Sequence, residues 1–298
     1  MKALLWVGEA VVRDVSVPPI PRGWVLGRVL AASLSSIDAA VTSGTIPVLP
    51  GRVLGSYGVI RVVEPGVDSG FGPGEVLGVV SLSKGGFLGL DIDGLMREYA
   101  SVPKECLRRV INVEQSKLWL YPLMLEFSFI PALRDGVVGK DVLVMGTGIS
   151  TYVIASYLRG DSRVSVLGDS SSLVKKLAGL GVKVVSTKKA AELYGAFDAV
   201  VLCAMSSYLI MISPRFVGDG GLLIIPPNTY VGKLVFDDPL ALTRVTLWRP
   251  PHAGIGEGAD VVGVVDEGFL KSIVAVTNDL SEAAVLRRHY ARVIYVSA

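Results

Sequence analysis

Residues 142–151 read Val-Leu-Val-Met-Gly-Thr-Gly-Ile-Ser-Thr, an apolar run that enters a glycine-rich turn. The run from Val142 to Met145 is typical of a buried strand, and the apolar spacing of Ile149 to Leu158 predicts a helix directly after the turn. In this order the first glycine permits a tight turn, the second lets the backbone approach a pyrophosphate, and the helix N-terminus offers free N–H donors. We therefore predict a dinucleotide-binding turn with these contact residues: Gly146, Thr147, Gly148, Ile149 and Ser150.

The chain beyond the turn bears on the choice of dinucleotide. A second strand, Arg163 to Leu167, leads to Asp169, which lies 21 residues after Gly148. An acidic side chain about 20 residues after the turn accepts hydrogen bonds from the adenosine ribose and repels a 2′-phosphate, which favours NAD over NADP by a small margin. If the loop aligns one residue differently, Ser170 to Ser172 and Lys175 can hold a 2′-phosphate instead.

The third position of the turn is Thr151, where glycine or alanine is usual, which predicts looser packing of the helix on the strand. An ordinary strand–turn–helix connection that binds nothing remains the alternative.

The surrounding pattern defines the fold class. Short apolar strands alternate with helices along residues 113–264, as in βαβ units with a parallel sheet covered on both faces. Within this region Val113 to Leu133 reads as helical and Thr243 to Trp248 as the last strand. Residues 1–112 instead read as short strands separated by proline and glycine turns, which is typical of a partly closed β domain. Two further strands are predicted at Ser272 to Thr277 and Arg292 to Val296.

Composition narrows the class of protein. The chain has 298 residues, which suggests two domains, and 51% of them are apolar whereas 19% are charged. These values exclude a disordered chain. Lys and Arg total 29 against 27 Asp and Glu, and this balance of +2 argues against a nucleic-acid partner or an anionic membrane surface.

Cysteine and histidine are scarce. The chain has two of each, at positions 106, 203, 252 and 289, so a cysteine-rich scaffold is excluded and a zinc site made of these residue types would need nearly all four. The longest apolar stretch, Leu118 to Leu133, contains Glu126 and two prolines and is too short to span a bilayer. We therefore expect a soluble, cytoplasmic protein with no signal peptide and no membrane partner.

Several short motifs, taken in order, resemble the medium-chain dehydrogenase/reductase family. They are Val25 to Ala32, Ser35 to Asp38 with Ser43-Gly44, Pro50 to Gly55, Gly58, Pro65-Gly66, Pro73-Gly74, Gly94 with Glu98-Tyr99 and Val102-Pro103, Ser128 with Ala132-Leu133, and Gly139 to Val144. The resemblance covers most of the chain. It implies a GroES-like β domain at residues 1–112, completed by residues 265–298, and a doubly wound Rossmann domain at residues 113–264.

The departures from the family pattern suggest the chemistry. The resemblance places Ser35, Ser56 and Met124 at the positions of the family's catalytic zinc ligands, and a neutral hydroxyl or thioether is a poor zinc ligand. The hydroxyl that relays a proton in the alcohol dehydrogenases falls at Ile37. The resemblance therefore implies a zinc-independent member that uses NAD or NADP, most similar to quinone and enone reductases.

Four residues are candidates for the catalytic site: Tyr57, Ser35, Ser56 and Asp38. The phenol of Tyr57 can donate a proton or a hydrogen bond to a developing enolate, although it can equally pack as an aromatic side chain in the vacated metal site. For Asp38 the favoured interpretation is a structural carboxylate bonded to backbone N–H groups. Glu126 either lines the cleft or marks the wet edge of its helix, and His252 reads as a loop residue rather than a catalytic base.

We predict a small-molecule substrate and an NAD(P)-dependent hydride transfer. The alternative is a non-catalytic nucleotide-binding or structural relative of the alcohol dehydrogenases, in which Tyr57 and Met124 fill the cleft. We also predict a homodimer, because Thr243 to Trp248 is an apolar strand with one charge, and such an edge is usually paired or covered.

Overall fold

The structure is a computed structural model that describes residues 1–110, 113–168, 172–230, 236, 243–265 and 267–297. Its strands in these ranges are β1 Lys2–Trp6, β2 Ala10–Asp14, β3 Trp24–Leu34, β4 Arg52–Val53, β5 Tyr57–Pro65, β6 Val76–Val79, β7 Leu82–Ser83, β8 Gly86–Phe87, β9 Tyr99–Pro103, β10 Leu107–Arg109, β11 Asp141–Met145, β12 Arg163–Leu167, β13 Lys183–Val185, β14 Phe197–Leu202, β15 Val217–Ile224, β16 Thr246–Trp248, β17 Val274–Thr277 and β18 Arg292–Val296. Its α-helices there are α1 Ser36–Thr42, α2 Tyr121–Phe127, α3 Ile130–Val137, α4 Ile149–Leu158, α5 Ser172–Gly179, α6 Ser207–Ile212, α7 Ile255–Gly263, α8 Glu267–Ile273 and α9 Leu280–Leu286.

The chain divides into two compact units. Unit 1 comprises Met1–Ser128, His252–Asp260 and Asp266–Ala298, and unit 2 comprises Phe129–Pro251 and Val261–Val265. The contacts thus group residues 113–128 with the β-rich unit, whereas the sequence interpretation began the second domain at residue 113.

Unit 1 is built on a largely antiparallel sheet. Its strand order is β10-β6-β5-β3-β18-β17, and β9 also pairs with β3. The C-terminal strand β18 lies antiparallel to β3, with Val293 opposite Leu34. A cluster of buried apolar side chains on this sheet, which we call the β5 cluster, packs around Ala31, Tyr57, Val59, Val80, Leu118, Tyr121 and Leu125.

Unit 2 has the doubly wound parallel sheet that the sequence predicts. Its order is β13-β12-β11-β14-β15-β16, in which the first strand of the unit lies at the centre and the order reverses beside it. The strands pair in parallel, and the central β11 is buried from Val142 to Met145. In sheets of this order ligands bind at the carboxyl ends of the strands, where the order reverses, which is the position of the glycine-rich turn.

The segment Val113 to Leu133, predicted as helical, contains a 3₁₀ turn at Gln115–Lys117, helix α2 and the start of helix α3. Pro122 and Pro131 each occupy one of the first two positions of a helix, α2 and α3 respectively. Proline lacks an N–H donor and clashes in a helix interior, but it is well tolerated in the first turn, so the two prolines divide the segment into two helices.

Among the described residues, no helix combines the length and apolar composition that crossing a bilayer requires.

Candidate active site

The glycine-rich turn of unit 2 has the backbone that the sequence predicts. Gly146 follows β11 with a φ of +143°, and a Cβ added there would lie 2.7 Å from Oγ1 of Thr151. Both the conformation and the contact therefore favour glycine at this position. The side chain of Thr151 is almost fully buried in α4. This burial differs from the looser packing of the helix on the strand that the sequence predicts at this position.

Gly148 leaves open space in front of the helix. It is the N-cap residue of α4, is exposed, and has φ −90° and ψ −176°. A Cβ added to Gly148 would meet no atom of the described residues within 4 Å, and none of their side chains caps the helix. The first N–H groups of α4 therefore face a space in which an anionic group could be bound.

Gly168 lets the end of β12 approach the same turn. A Cβ at Gly168 would lie 2.7 Å from the carbonyl oxygen of Gly146 and 2.8 Å from Cγ2 of Thr147. Asp169, predicted to contact the ribose, and Ser170, predicted to hold a 2′-phosphate in the alternative alignment, lie outside the described residues, so both roles stay predictions.

Asn228 joins the turn from a distant part of the sequence. It follows β15, is buried, and its Nδ2 donates to Oγ of Ser150 over 3.2 Å. The sequence analysis missed Asn228. The available signal is its position after the end of a strand, because the carboxyl ends of parallel strands share one edge of the sheet.

In unit 1, three of the four predicted catalytic residues form one buried hydrogen-bond network. Oδ2 of Asp38 accepts from the backbone N of Ser35 at 2.7 Å, from Oγ of Ser35 at 3.1 Å and from Oγ of Ser56 at 2.8 Å. Its Oδ1 accepts from the backbone N of Gly55 at 2.7 Å. Ser35 also caps α1, so the network joins the start of that helix to the segment before β5.

The network determines what these groups can do chemically. Burial raises the pKa of Asp38, and the hydrogen bonds from Gly55, Ser35 and Ser56 oppose that shift. The hydroxyls of Ser35 and Ser56 each donate their single proton to the carboxylate of Asp38, so neither has a second proton to donate to a substrate. The geometry therefore matches the structural interpretation of Asp38, with Ser35 and Ser56 as its donors.

Tyr57, the fourth predicted residue, contacts a histidine that the sequence interpretation had set aside as a loop residue. Oη of Tyr57 lies 3.4 Å from Nε2 of His252, and the two rings meet edge to face with centroids 5.6 Å apart. On the other side of the imidazole, Nδ1 lies 3.3 Å from Oγ of Ser128. We call Tyr57, His252 and Ser128 the imidazole relay.

Burial differs along the imidazole relay. Tyr57 is fully buried in the β5 cluster, whereas His252 is half-buried. Burial, together with the nearby carboxylate of Glu126, raises the pKa of Tyr57 well above its ordinary value. A phenolate at this position is therefore strongly disfavoured, and of the three relay residues His252, the middle one, is the one that is partly exposed.

Glu126 neither lines an open cleft nor lies at the wet edge of its helix. It is fully buried in α2 and accepts two hydrogen bonds from Arg292 of β18, at 2.6 Å and 2.9 Å. This two-pronged geometry is the strong form of an arginine–carboxylate pair. The pair fixes the last strand to α2 within unit 1.

No family model and no curated protein sequence matches this chain, but solved structures do. An alcohol dehydrogenase from Thermus sp. ATN1 is 17% identical, with 100% of both chains covered and a TM-score of 0.73. A protein described as a zinc-binding dehydrogenase, from Sinorhizobium meliloti and solved with NADP, is 18% identical over 99% of this chain and 98% of that one, with a TM-score of 0.70. An acetophenone reductase from Geotrichum candidum, solved with NAD, is 16% identical over 99% and 97% of the two chains, also with a TM-score of 0.70.

This chain has the same fold as these solved dehydrogenases and this reductase. The fold that the sequence motifs imply, a Rossmann sheet with a separate β-rich unit, is thereby confirmed.

The residues at the positions that the family resemblance assigns to zinc have a chemistry that does not fit a zinc ion. The hydroxyls of Ser35 and Ser56 donate to Asp38, and the thioether of Met124 packs against the apolar β5 cluster. Zinc in proteins prefers thiolate, imidazole or carboxylate ligands. Within the described ranges, no group of three or more His, Cys, Asp or Glu side chains is arranged to hold a metal ion.

Proposed function

We propose that this protein is a zinc-independent, NAD(P)-dependent oxidoreductase that reduces quinones or enones. The observation that carries the proposal is the turn after β11, where Gly146 adopts a positive φ and Gly148 leaves the N-terminus of α4 open. Structures with the same fold that were solved with NADP and with NAD support the cofactor class.

Different residues of unit 2 would bind different parts of the cofactor. The N–H groups around Gly146, Thr147, Gly148, Ile149 and Ser150 would bind the pyrophosphate. Asn228 supports this turn through its hydrogen bond to Ser150. Asp169 would accept hydrogen bonds from the ribose beside Ser170, which is why we propose NAD by a small margin. When bound, the nicotinamide supplies the hydride.

Besides the hydride, reduction of a quinone or enone requires a proton. The carbonyl oxygen of the substrate becomes electron-rich once the hydride has been accepted, and it is this oxygen that takes up the proton. Unit 1 holds a matching group in the imidazole relay of Tyr57, His252 and Ser128. A positioned donor of this kind typically accelerates the chemical step by about 10²–10⁴-fold.

Reduction is favoured over zinc-type alcohol oxidation by the residues present. The zinc positions hold two hydroxyls that already donate to Asp38, and the position of the family's relay hydroxyl is Ile37, which is fully buried. Reduction of a conjugated carbonyl requires fewer catalytic groups from the protein, because the cofactor performs the difficult step and the protein orients the reactants.

A second candidate is a nucleotide-binding protein without turnover. It is favoured by one observation: Tyr57 is fully buried, and the partly buried Met124 packs against the same cluster, as in a site filled by its own side chains. Cofactor binding without consumption of NADH would support this candidate over the reductase.

The proposal is tested by following NADH and NADPH oxidation at 340 nm in the presence of quinones and enones, with and without a metal chelator. We expect turnover with one of the two cofactors and no loss of rate on chelation. In the opposite direction, we expect no oxidation of primary alcohols with NAD. Loss of activity on chelation with recovery on adding zinc would contradict zinc independence.

A further inference from the structure

A cavity of about 560 Å³ lies at the amino-terminal edge of the parallel sheet in unit 2. Its lining includes the first residues of four strands: Asp141 of β11, Arg163 of β12, Lys183 of β13 and Phe197 of β14. This volume is within the range of small-molecule binding sites. The glycine-rich turn lies at the opposite, carboxyl-terminal edge of the same sheet, so the cavity is separate from the proposed cofactor site. We call it the amino-edge cavity.

The strand register brings polar side chains of the amino-edge cavity together on one face of the sheet. Asp141 lies opposite Arg163, and Ser165 lies opposite Lys183. Arg163 and Ser165 are two residues apart on β12, so their side chains point to the same face. Because neighbouring strands are only about 4.8 Å apart, these four side chains form one polar patch at the edge of the sheet.

Positive charge exceeds negative charge in the described lining of the cavity. The cationic side chains are those of Arg159, Arg163 and Lys183, whereas Asp141 supplies the one carboxylate. That carboxylate accepts from Nε and Nη2 of Arg163 over 2.5 Å and 2.7 Å, so the charges of these two groups largely cancel. Asp198, outside the lining, accepts from the backbone N of Asp141 over 2.9 Å. Arg159 and Lys183 are therefore the cations whose charge no carboxylate in the lining offsets.

Two of the polar groups in the lining have donors to offer a ligand. Neither the ammonium of Lys183 nor the hydroxyl of Ser165 has a hydrogen-bond or ion-pair partner among the residues that the structure describes. Arg159 donates through Nη1 to the carbonyl oxygen of Leu180 over 3.1 Å, which leaves its other N–H groups for a ligand.

The remainder of the lining is largely apolar. Val164, Val182 and Phe197 are buried, and Leu193 is half-buried. Apolar side chains beside a few convergent polar groups are typical of sites for organic ligands, because the apolar part of the ligand is removed from water while its polar group meets fixed donors. A purely inorganic ion would leave this apolar surface unused.

We propose that the amino-edge cavity binds a small organic anion. A ring-sized apolar body would lie against Val182 and Phe197, and an anionic phosphate or carboxylate group would be held by Lys183, Arg159 and the hydroxyl of Ser165. Hydrogen bonds from cationic donors to such an anion are stronger than neutral ones. The site is independent of the proposed reductase function, because all of these residues lie in unit 2 and none belongs to the cofactor turn.

The first test locates the bound anion. Amide chemical shifts of ¹⁵N-labelled protein are followed while phenyl phosphate, benzoate, phenol and inorganic phosphate are added in separate titrations. We expect phenyl phosphate or benzoate to shift the amides of Ser165, Lys183 and Ala196 saturably. The tighter of the two identifies the anionic group, and it should bind at least about tenfold more tightly than phenol, which lacks the charge, and inorganic phosphate, which lacks the ring.

Three results of these titrations would overturn the proposal. One is the absence of saturable shifts around the amino-edge cavity. Another is a set of shifts confined to Gly146–Ser150, which would mean that the anion binds at the N-terminus of α4. The third is equal affinity for inorganic phosphate and phenyl phosphate, which would mean that the basic groups attract any anion without a site for the ring.

The second test separates charge from shape. Lys183→Gln should weaken binding of the tighter probe by about tenfold or more, and Ser165→Ala by about threefold. Ala196→Trp retains every charge but places an indole at the exposed wall of the cavity, so it should abolish binding. The matched control is Lys189→Gln, which removes an exposed lysine of unit 2 outside the lining and should bind as wild type does.

The amide spectrum of each variant shows whether it is folded. Should Ala196→Trp fail to fold, Lys183→Gln and Ser165→Ala still decide, because neither replaces a fully buried side chain. Wild-type affinity in folded Lys183→Gln, or equal weakening by Lys183→Gln and Lys189→Gln, would overturn the proposal and leave the cofactor turn untouched.

Discussion

Arg292 and Glu126 are separated by 166 residues in sequence, yet the guanidinium donates two hydrogen bonds, of 2.6 Å and 2.9 Å, to the fully buried carboxylate. The pair joins β18 to α2 in the interior of unit 1. Arg292 also lies 3.4 Å, through Nη2, from Oγ of Ser36 at the start of α1. Three segments distant in sequence are thus connected through one side chain.

Removing one partner of this pair should be strongly destabilising. In Glu126→Gln the buried guanidinium of Arg292 loses its carboxylate, and we expect the free energy of unfolding to fall by about 3–5 kcal/mol. Replacing both partners, as Glu126→Leu with Arg292→Met, should recover most of that loss. Urea unfolding measures both variants.

The matched control for this pair is on the surface. Asp68 and Arg22 also meet at 2.6 Å, but both side chains are exposed. Asp68→Asn should change the free energy of unfolding by less than about 1 kcal/mol. Equal losses in Glu126→Gln and Asp68→Asn would contradict the importance given to burial.

The network around Asp38 should affect stability more than catalysis. Asp38→Ala leaves four buried donors without their acceptor, and we expect a loss of roughly 3 kcal/mol or more. Ser35→Ala removes the cap of α1 and should cost about 1 kcal/mol. Comparison of thermal unfolding with kcat separates the roles: a Ser56→Ala variant of normal stability but greatly reduced kcat would restore that serine to the catalytic group.

Stability should decline in alkali. Burial raises the pKa of Cys106 from 9.0 to about 12. Between these two values the unfolded chain has lost a proton that the folded protein retains, so the free energy of unfolding falls as pH rises through this window and is unaffected by Cys106 below it. Urea unfolding across the window should show a shallower decline for Cys106→Ala than for wild type, and parallel declines would show that the thiol has no such shift.

We propose that β16 mediates a homodimer. It is the last strand in the order of the unit 2 sheet, and Leu247 on it is 49% exposed. Light scattering should give twice the chain mass for wild type and the chain mass for Leu247→Lys. The control, Leu49→Lys, changes a leucine of unit 1 that is still more exposed and should remain dimeric. A monomeric wild type at micromolar concentration would contradict the proposal.

The sequence predicts best what local patterns determine. Local patterns predicted three elements: the strand at Val142 to Met145, the turn at Gly146 and the helix Ile149–Leu158. They were predictable because the spacing of apolar residues and the conformational freedom of glycine both determine structure within a few residues. The prolines at 122 and 131 carried a local signal as well, since proline is favoured in the first turn of a helix.

Contacts between distant segments were not predictable in this way. His252 meets Tyr57 across 195 residues, and Arg292 meets Glu126 across 166. The Pro-Pro-His segment reads locally as a loop, and Arg292 reads locally as the first residue of a strand. Only the folding of unit 1 brings them to a buried phenol and a buried carboxylate.

Gly148 offers a direct mutational test of the cofactor turn. A side chain there meets no described atom within 4 Å, so Gly148→Val should leave the unfolding temperature unchanged while its methyl groups block the approach of a pyrophosphate. Gly160→Val is the matched control, since it is an exposed glycine of unit 2 with equal space around it among the described atoms. We expect cofactor affinity to fall more than about tenfold, which is 1.4 kcal/mol, in the first variant only. Equal affinity in both variants would place the cofactor elsewhere.

The central claim, that this chain binds a nicotinamide dinucleotide at the turn after β11, is tested most directly by calorimetric titration of the folded, metal-analysed protein with NADH and then NADPH. The account predicts saturable binding at one site per chain, tighter for NADH, in protein that contains no stoichiometric zinc. Failure of both dinucleotides to bind would contradict it.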